Sequence, residues 1–336
     1  MPRRFLILLC WAMLLPFAAD AAAAEKLTIG VLRLASSGPV FIAVARGYFA
    51  AEGIDAGLLF FDAAQPVAVA TVAGDVEIGV TGLTAGFYNL AGKGALRIIG
   101  AQSREEPGYH LVAYLASNQA YAGGLTGLKD LAGHSVAITQ VGSTFHYSVG
   151  LLANKLGFPI AQVKLVPLQS MGTIAAAIKG NQEDAGLIPA TVALPLVGEG
   201  GAHLLGWVGD ETPWQLGAIF AAAATLRDRR PALEAFLRAY RHGARDFHDA
   251  FLVKGADGKP SPGADAEALL AIIAQATGQP AAQIRDGIPY VDPDAKLLVA
   301  DIYRQVAWYQ SQGLVEKSVD AKSILDLSFT GEPAAH

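Results

Sequence analysis

Cysteine is nearly absent from this chain, and its scarcity excludes several kinds of site. The only cysteine among the 336 residues is Cys10, which lies in an apolar N-terminal stretch. The rest of the chain can therefore form no disulfide, no thiolate metal site and no cysteine nucleophile. A chain of this length must then be held together by hydrophobic burial, and single cores stop growing near roughly 250–300 residues. We therefore expect two lobes.

Clustered positive charge and catalytic motifs are missing as well. The formal net charge is −5, and no segment concentrates Lys and Arg as a nucleic-acid phosphate backbone requires. The sequence contains no Gly-x-Ser-x-Gly, His-Glu-x-x-His or Walker motif, and its seven histidines are dispersed. We expect no nucleic-acid partner, no catalytic residue, no metal and no cofactor.

Residues 1–24 have the three parts of a secretory signal peptide. Arg3 and Arg4 form its positive start, residues 5–18 its apolar centre, and residues 22–24 a small-residue cleavage site. The apolar run is shorter than the roughly 20 residues that cross a bilayer, which favours cleavage over a membrane anchor. The sequence thus predicts export to the periplasm.

Short apolar runs alternate with helical patterns through the first two thirds of the chain. The predicted strands are 27–32, 57–61, 78–81, 96–101, 110–115, 135–139, 163–167 and 185–188. The predicted helices are 39–46, 65–73, 84–91, 144–156, 173–179 and 191–197, followed in the last third by 232–251, 265–277 and 294–312. This alternation indicates α/β lobes with largely parallel sheets.

A faint internal repeat favours two copies of one unit. Ser37 and Ser143, each before a predicted helix, are 106 residues apart. Residues 77–79 and 184–186, each shortly after a glycine that ends a helix, are 107 apart. Chance matches of short motifs remain the alternative. If the repeat is real, two facing lobes direct equivalent helix N-termini into one cleft, where open α/β sheets usually bind ligands.

Four segments resemble, in order, the sequence blocks of type II periplasmic binding proteins. They are GPVFIAVARGYFAAEGI, AGDVEIGVTG, VGSTFHYSVGLLANKLG and AAAIKGNQEDAGLIPA, and the resemblance extends from about residue 27 to 250. The most similar branch contains the taurine, alkanesulfonate and nitrate receptors of ABC importers and the thiamine-pyrimidine-synthase-like proteins. Sulfonate, nitrate, pyrimidine and aromatic-acid ligands all remain open.

The resemblance implies a two-lobed α/β fold with the ligand between the lobes. The first lobe would comprise residues 25–112 and 217–336, and the second lobe residues 113–216. Ligand would stabilise closure about the hinges, and an ABC membrane permease would recognise the closed, monomeric protein. The alternatives are an enzyme of the same fold that acts on a small organic acid and a receptor that serves a sensor protein.

Candidate ligand-binding residues follow predicted strands and begin helices. Backbone N–H groups at such positions are unpaired and lie at the positive end of the helix dipole, which suits an anionic or polar group. In the first lobe they are Ser36, Ser37, Gly38, Thr81, Gly82 and Thr84, and in the second Gly142, Ser143, Thr144 and Phe145. Ordinary helix capping is the alternative for each hydroxyl.

Five further candidates lie near the predicted junctions of the lobes. Arg104 is suited to a bidentate pair with a carboxylate or sulfonate, although Glu105 and Glu106 offer it a loop salt bridge instead. Aromatic or imidazole groups suit a flat organic ligand, and buried structural positions are their alternative. Besides Arg104, these candidates are Gln102, His146, Pro189 and Trp214. Pro189 stands where the family often has an acidic residue.

Overall fold

Ten strands and fourteen α-helices form the protein, whose computed structural model describes residues 24–256 and 258–329. The predicted signal peptide, apart from Ala24, lies outside the described residues. The strands are β1 (Glu25–Leu32), β2 (Ile54–Phe61), β3 (Ile78–Gly82), β4 (Leu96–Ala101), β5 (Val112–Ala116), β6 (Ser135–Ile138), β7 (Lys164–Pro167), β8 (Ala185–Pro189), β9 (His203–Trp207) and β10 (Gly217–Ala222).

The helices are spread through both halves of the chain. They are α1 (Gly38–Ala45), α2 (Tyr48–Ala51), α3 (Ala64–Ala73), α4 (Ala85–Gly92), α5 (Asn118–Ala122), α6 (Thr144–Leu156), α7 (Met171–Lys179), α8 (Ala190–Gly198), α9 (Val208–Glu211), α10 (Ala223–Asp228), α11 (Arg230–Phe251), α12 (Ala266–Thr277), α13 (Ala281–Asp286) and α14 (Val299–Ser311). Short 3₁₀ helices cover Ala35–Ser37, Leu128–Leu131, Ile160–Gln162 and Leu327–Phe329.

The strands form two five-stranded sheets with the same topology. The first sheet has the order β2-β1-β3-β10-β4 and the second the order β7-β6-β8-β5-β9. In each sheet four strands run in the same direction, and the remaining strand, β10 or β5, runs antiparallel to both of its neighbours. We call the part of the molecule built on each sheet the first and the second lobe.

Equivalent residues of the two sheets occupy the same register. Gly30 pairs with Gly79 in the first sheet, and Ala137 pairs with Gly186 in the second. Both members of the second pair lie 107 residues after their counterparts, which is the offset read from the sequence repeat. A Cβ atom on Gly79 would lie 2.2 Å from the Phe220 ring, so close packing within the sheet requires glycine there.

All eight predicted strands are present, but β9 and β10 were not predicted as strands. The β10 sequence, GAIFAA, is rich in Gly and Ala, which have low strand propensity. It forms a strand because it lies fully paired between β3 and β4, with all but its last residue buried. Helix α14 begins five residues later than predicted, after a turn in which the Asp292 carboxylate accepts the backbone N–H of Asp294.

Helix α11 is the main support of the first sheet on one face. Its buried side chains include Phe236, Tyr240 and Phe247, which join a core with Ile29 of β1 and Val40 of α1. Helices α3, α4 and α14 contribute to a second core, which is continuous with that of the second lobe. The apolar positions of α11 recur at helical spacing in the sequence, so this helix and its buried face were predictable.

Two chain segments connect the lobes side by side. The first crossing runs from the end of β4 to the start of β5, and the second from the end of β9 to the start of β10. Their backbones pair where the Glu105 N–H donates to the Trp214 carbonyl at 2.9 Å and the Trp214 N–H donates to the Glu105 carbonyl at 3.1 Å. Within the described residues, no helix combines the length and apolarity needed to cross a membrane.

Candidate functional site

A small cavity lies between the two lobes, at the ends of β1, β3, β6 and β8. Its volume is about 50 Å³, several times the minimum that a buried water requires. Nine of the fifteen candidate residues line it: Ser36, Thr81, Gly82, Thr84, Gln102, Ser143, Thr144, Phe145 and Pro189. The structure therefore brings together residues that are far apart in the sequence and belong to both lobes.

Helix N-termini converge on this cavity. Thr84 caps α4 by accepting the N–H of Phe87 at 3.1 Å, and Ser143 caps α6 by accepting the N–H of His146 at 3.3 Å. Pro189 is the N-cap residue of α8, Met171 is the first residue of α7, and Ala63 is the N-cap residue of α3. Each of these ends carries partial positive charge, so the cavity favours a negatively charged group even without a cationic side chain.

Five polar side chains that line the cavity have no hydrogen bond to any other described residue. They are Ser36, Thr81, Thr139, Gln140 and Thr144. Buried polar groups in folded proteins are nearly always paired with protein, water or ligand. Hydroxyl and amide groups left without a protein partner are therefore available to a bound molecule.

Apolar side chains complete the lining, and none of the described residues that line the cavity carries a charge. The apolar set includes Leu32, Leu34, Leu111, Val112, Phe145, Met171 and Leu216. These side chains offer no hydrogen bonds, so a bound inorganic ion would leave them without an apolar group to contact. The cavity instead suits a molecule that has both a polar acceptor group and a carbon skeleton.

A wider pocket of about 370 Å³ adjoins the cavity and shares Leu32, Leu34 and Met171 with it. Arg33 and Asp62 also line this outer pocket. The Arg33 guanidinium lies over the Phe60 ring and donates to the Ala276 carbonyl at 3.0 Å. The outer pocket thus extends the cavity toward more polar surroundings.

Two candidate glycines lie where the lobes touch. The Ala85 N–H donates to the Gly142 carbonyl across the lobes at 2.8 Å. A Cβ atom on Gly142 would lie 2.8 Å from that of Ala85, and a Cβ atom on Gly82 would lie 2.8 Å from Thr144 Cγ2. Gly142 does not line the cavity, but its close approach to Ala85 holds the cavity walls together.

His146 lies behind the cavity wall. Its Nδ1 accepts the Gly142 N–H at 3.0 Å, and its ring packs edge-on against Trp308 at 5.3 Å. Burial lowers the pKa of His146 to about 4. The imidazole is therefore neutral near pH 7, and its hydrogen bond holds the backbone of Gly142 in place.

The four remaining candidates have structural surroundings outside the cavity lining. Ser37 and Gly38 are buried at the start of α1, where a Cβ atom on Gly38 would lie 2.7 Å from the Phe247 ring. Arg104 pairs with Glu106 at 2.9 Å and lies over the Tyr290 ring. The ion pair is the loop salt bridge that the sequence indicated as the alternative for Arg104. Trp214 is buried and packs edge-on against Tyr147.

The cavity also contains residues that sequence reasoning missed. Thr139 and Gln140 directly follow β6, and Met171 begins α7. The position of Thr139 and Gln140 at the end of a parallel strand was a usable signal, because ligands in open α/β sheets bind at strand carboxyl ends. Leu111 and Leu216 carried no such signal, since only the path of the crossings brings them to the cavity.

A family model described as NMT1/THI5 like matches residues 35–250, whereas the comparison with curated proteins found no match. Two solved binding proteins have the same fold. The alkanesulfonate-binding protein SsuA from Xanthomonas axonopodis pv. citri, bound to MOPS, aligns with TM-score 0.72 and 19% identity over 91% of this chain and 100% of its own. The periplasmic nitrate-binding protein NrtA from Synechocystis PCC 6803 aligns with TM-score 0.69 and 15% identity over 90% and 85%.

An enzyme is also similar in fold. The desulfurization enzyme DSZB aligns with TM-score 0.61 and 14% identity over 91% of this chain and 97% of its own. Identities this low indicate a common fold, while the family match covers more than half of the chain. The chain therefore belongs to the NMT1/THI5-like family and has the two-lobed α/β fold of the periplasmic binding proteins.

Proposed function

We propose that this protein is the solute-binding component of an ABC importer and captures a small organic anion between its lobes. The observation that carries the proposal is the cavity between the two sheets. It combines converging helix N-termini with five hydroxyl and amide side chains that are unpartnered in the described structure, and no charged residue is among the described ones that line it. Neutral donors of this kind bind an anionic group without a counter-ion.

A sulfonate or carboxylate with a carbon skeleton fits the lining better than nitrate does. The anionic group would accept hydrogen bonds from Thr81 in the first lobe and Thr144 in the second. The apolar walls, among them Phe145 and Met171, would contact the carbon skeleton. The outer pocket leaves room for a ligand that is longer than the cavity itself.

Capture would proceed by closure of the lobes. A ligand that contacts both walls binds fully only when the lobes are close together, so it shifts the population toward that arrangement. We propose that the protein works in the periplasm as a monomer, after removal of residues 1–24, and delivers its solute to a membrane permease. The names of the similar proteins SsuA and NrtA support this role.

An enzyme that acts on a small organic acid is the second candidate function. The observation that favours it is the similar fold of the desulfurization enzyme DSZB. Among the described residues that line the cavity there is no carboxyl, imidazole, thiol or amine. Proton transfer to a bound substrate would thus depend on hydroxyl groups, which are poor general acids and bases near neutral pH. A receptor serving a sensor protein would have the same cavity and differs only in its partner.

Ligand screening by thermal unfolding tests the proposal. The chain from residue 25 onward would be tested against aliphatic sulfonates, aromatic acids, pyrimidines and nitrate. A ligand at a hundred times its Kd adds about 2.7 kcal/mol to the free energy of unfolding, which raises the melting temperature measurably. Stabilisation by organic anions and not by nitrate is expected. Conversion of a stabilising compound, detected by chromatography, would instead support the enzyme.

A pair of valine variants tests the site with the best ligand from that screen. Thr144→Val removes one cavity hydroxyl at nearly constant volume, and we expect Kd to rise by at least about tenfold because a hydrogen bond to a charged group contributes about 1.5–3 kcal/mol. Thr225→Val, in α10 and away from the cavity, is the control and should leave Kd unchanged. Equal Kd values for wild type and Thr144→Val would remove Thr144 from the site.

A further inference from the structure

Glu105 is a buried carboxylic acid in the first crossing between the lobes. Its side chain is 0% exposed, and among the described residues neither of its carboxyl oxygens has a partner that meets hydrogen-bond geometry. A buried polar group without a partner is rare in folded proteins, and an ionised one is far more costly. The environment of Glu105 therefore selects the neutral form of its carboxyl group.

Trp214, on the second crossing, is the direct cross-strand partner of Glu105. Their backbones exchange two hydrogen bonds, which places the two side chains on the same face of the pair. The indole Nε1 of Trp214 is buried and also has no hydrogen-bond partner within the described part of the chain. One unsatisfied acceptor and one unsatisfied donor thus project from the same point of the hinge without bonding to each other.

Helix α9, at the start of the second crossing, covers this pair of residues closely. A Cβ atom on Gly209, in α9, would lie 2.7 Å from the carbonyl oxygen of Glu106, so α9 packs directly on the first crossing. The backbone N–H groups of Val112 and Gly209 approach the Glu105 carboxyl group and lower its pKa, but burial raises that pKa by much more. The net pKa lies well above the ordinary value for Glu.

The charged and titratable groups that face Glu105 do not cancel the rise in its pKa that burial causes. Asp210 of α9 raises its pKa further, and Tyr114 of β5 is a weak acid whose own pKa is raised well above normal, mainly by burial. On its own segment, Arg104 pairs with Glu106. On the second crossing, Trp214 carries no charge. No cation among the described residues is paired with the Glu105 carboxyl group.

We propose that Glu105 is a proton-controlled hinge residue, whose neutral carboxyl group belongs to the arrangement with the lobes in contact and whose ionised form favours more separated lobes. On ionisation the carboxyl O–H bond breaks and the proton passes to solvent. The carboxylate then requires water or a donor such as Trp214 Nε1, and either demands that the two crossings and α9 rearrange. Rising pH therefore opens the hinge.

Distance measurements between the lobes test this without any ligand. The hinge role of Glu105 rests on the proposed function, which is capture of a ligand between the lobes. The distance measurement needs no ligand, so a failed ligand screen would not affect it. The chain from residue 25 onward contains no cysteine, so Val69→Cys in α3 and Ala176→Cys in α7 provide two unique, exposed labelling sites. Pulsed electron paramagnetic resonance then reports the distance between spin labels from pH 6 to pH 9.

In the wild type, we expect the population with the longer distance to grow as pH rises. A single titrating group changes such an equilibrium by up to about tenfold per pH unit. Glu105→Gln, which cannot ionise, should keep the short distance at every pH. Glu183→Gln, in the loop before β8 and outside both crossings, is the control and should behave like wild type. A constant wild-type distribution, or an equal pH dependence in Glu105→Gln, would overturn the proposal.

Infrared spectroscopy of the wild-type protein provides a second readout if Glu105→Gln does not fold. A protonated carboxyl group gives a C=O band separate from the carboxylate bands, and Glu105→Asp, which keeps the acid, should shift it. The proposal requires this band at neutral pH and its loss in parallel with the change in distance. Absence of the band, or its loss at a pH where the distance does not change, would refute the proposal.

Discussion

Gly142 shows how one residue serves both the backbone and the contact between the lobes. Its φ angle is +81°, in the left-handed region that favours glycine. Its missing Cβ atom leaves space for Ala85 of the first lobe, and its carbonyl accepts the Ala85 N–H. Ligand contact by Gly142 stays a prediction from the sequence, and the structure adds a role for this residue in bringing the cavity walls together.

Gly142→Ala should destabilise the protein through both effects. The left-handed conformation costs an alanine about 1–2 kcal/mol, and the contact with Ala85 adds about 1–3 kcal/mol. Gly157→Ala is a matched control, because its φ is +79° but no atom lies within 4 Å of its added Cβ. Urea unfolding should therefore show a larger loss for Gly142→Ala. Equal losses would mean that the Ala85 contact relaxes without cost.

Burial of Glu105 should make the free energy of unfolding decrease as pH rises. Its pKa is raised in the folded protein, so above about pH 4.5 the folded state retains a proton that the unfolded state releases. Stability should therefore fall as pH rises from there toward the folded-state pKa. Glu105→Gln should lack this decline and be the more stable protein at pH 8. The urea midpoint measured from pH 5 to pH 9 checks this, with Glu183→Gln, outside both crossings, as the control.

At the scale of single elements, helix capping and lining of the cavity coincide in the same side chains. Thr84 and Ser143 cap α4 and α6, and both also line the cavity. The sequence posed capping and ligand contact as alternatives, but a hydroxyl that accepts a backbone N–H can still donate its proton to a ligand. The two functions therefore do not exclude each other at a helix N-terminus.

Ser143→Ala and Ser117→Ala separate these two functions. Each serine accepts a backbone N–H at 3.3 Å, Ser143 in α6 and Ser117 in α5. Loss of either cap should lower the free energy of unfolding by about 1 kcal/mol. Only Ser143→Ala should also raise the Kd of the ligand found in the screen, as measured by calorimetry. An unchanged Kd would make Ser143 a capping residue alone.

Across the whole molecule, α14 ties the first lobe to the second. Tyr309 donates to the Ser143 carbonyl at 3.0 Å, and Trp308 packs edge-on against Tyr147 of α6. A Cβ atom on Gly150 would lie 2.0 Å from Trp308 Cζ2, so the indole fills the space that glycine leaves. The lobes are thus joined by packing of the C-terminal helix as well as by the two crossings.

Gly150→Ala should weaken this contact. The indole of Trp308 must move, and such overpacking costs about 1–3 kcal/mol. Gly198→Ala, where nothing lies within 4 Å of the added Cβ, is the control, and it should be neutral or stabilising by up to about 1 kcal/mol because alanine favours helices. Near-ultraviolet circular dichroism and urea unfolding provide the measurements. Equal stability of both variants would show that Trp308 adapts freely.

The sequence by itself determined the elements and the fold class. Apolar periodicity is a local property of the chain, so it placed eight of the ten strands and the buried face of α11. The family blocks and the 107-residue offset pointed to two similar α/β units. Strand ends followed by Ser, Thr and Gly indicated much of the cavity, including Ser36, Thr81, Ser143 and Thr144.

Only the tertiary structure decided which of these residues meet and what surrounds them. Strand β10 depends on pairing with β3 and β4, which local propensity does not encode. Leu111 and Leu216 reach the cavity, and Glu105 loses all contact with water, because of how two distant segments cross between the lobes. Burial, pKa and cavity shape arise from contacts between residues far apart in the sequence, and the fold alone creates those contacts.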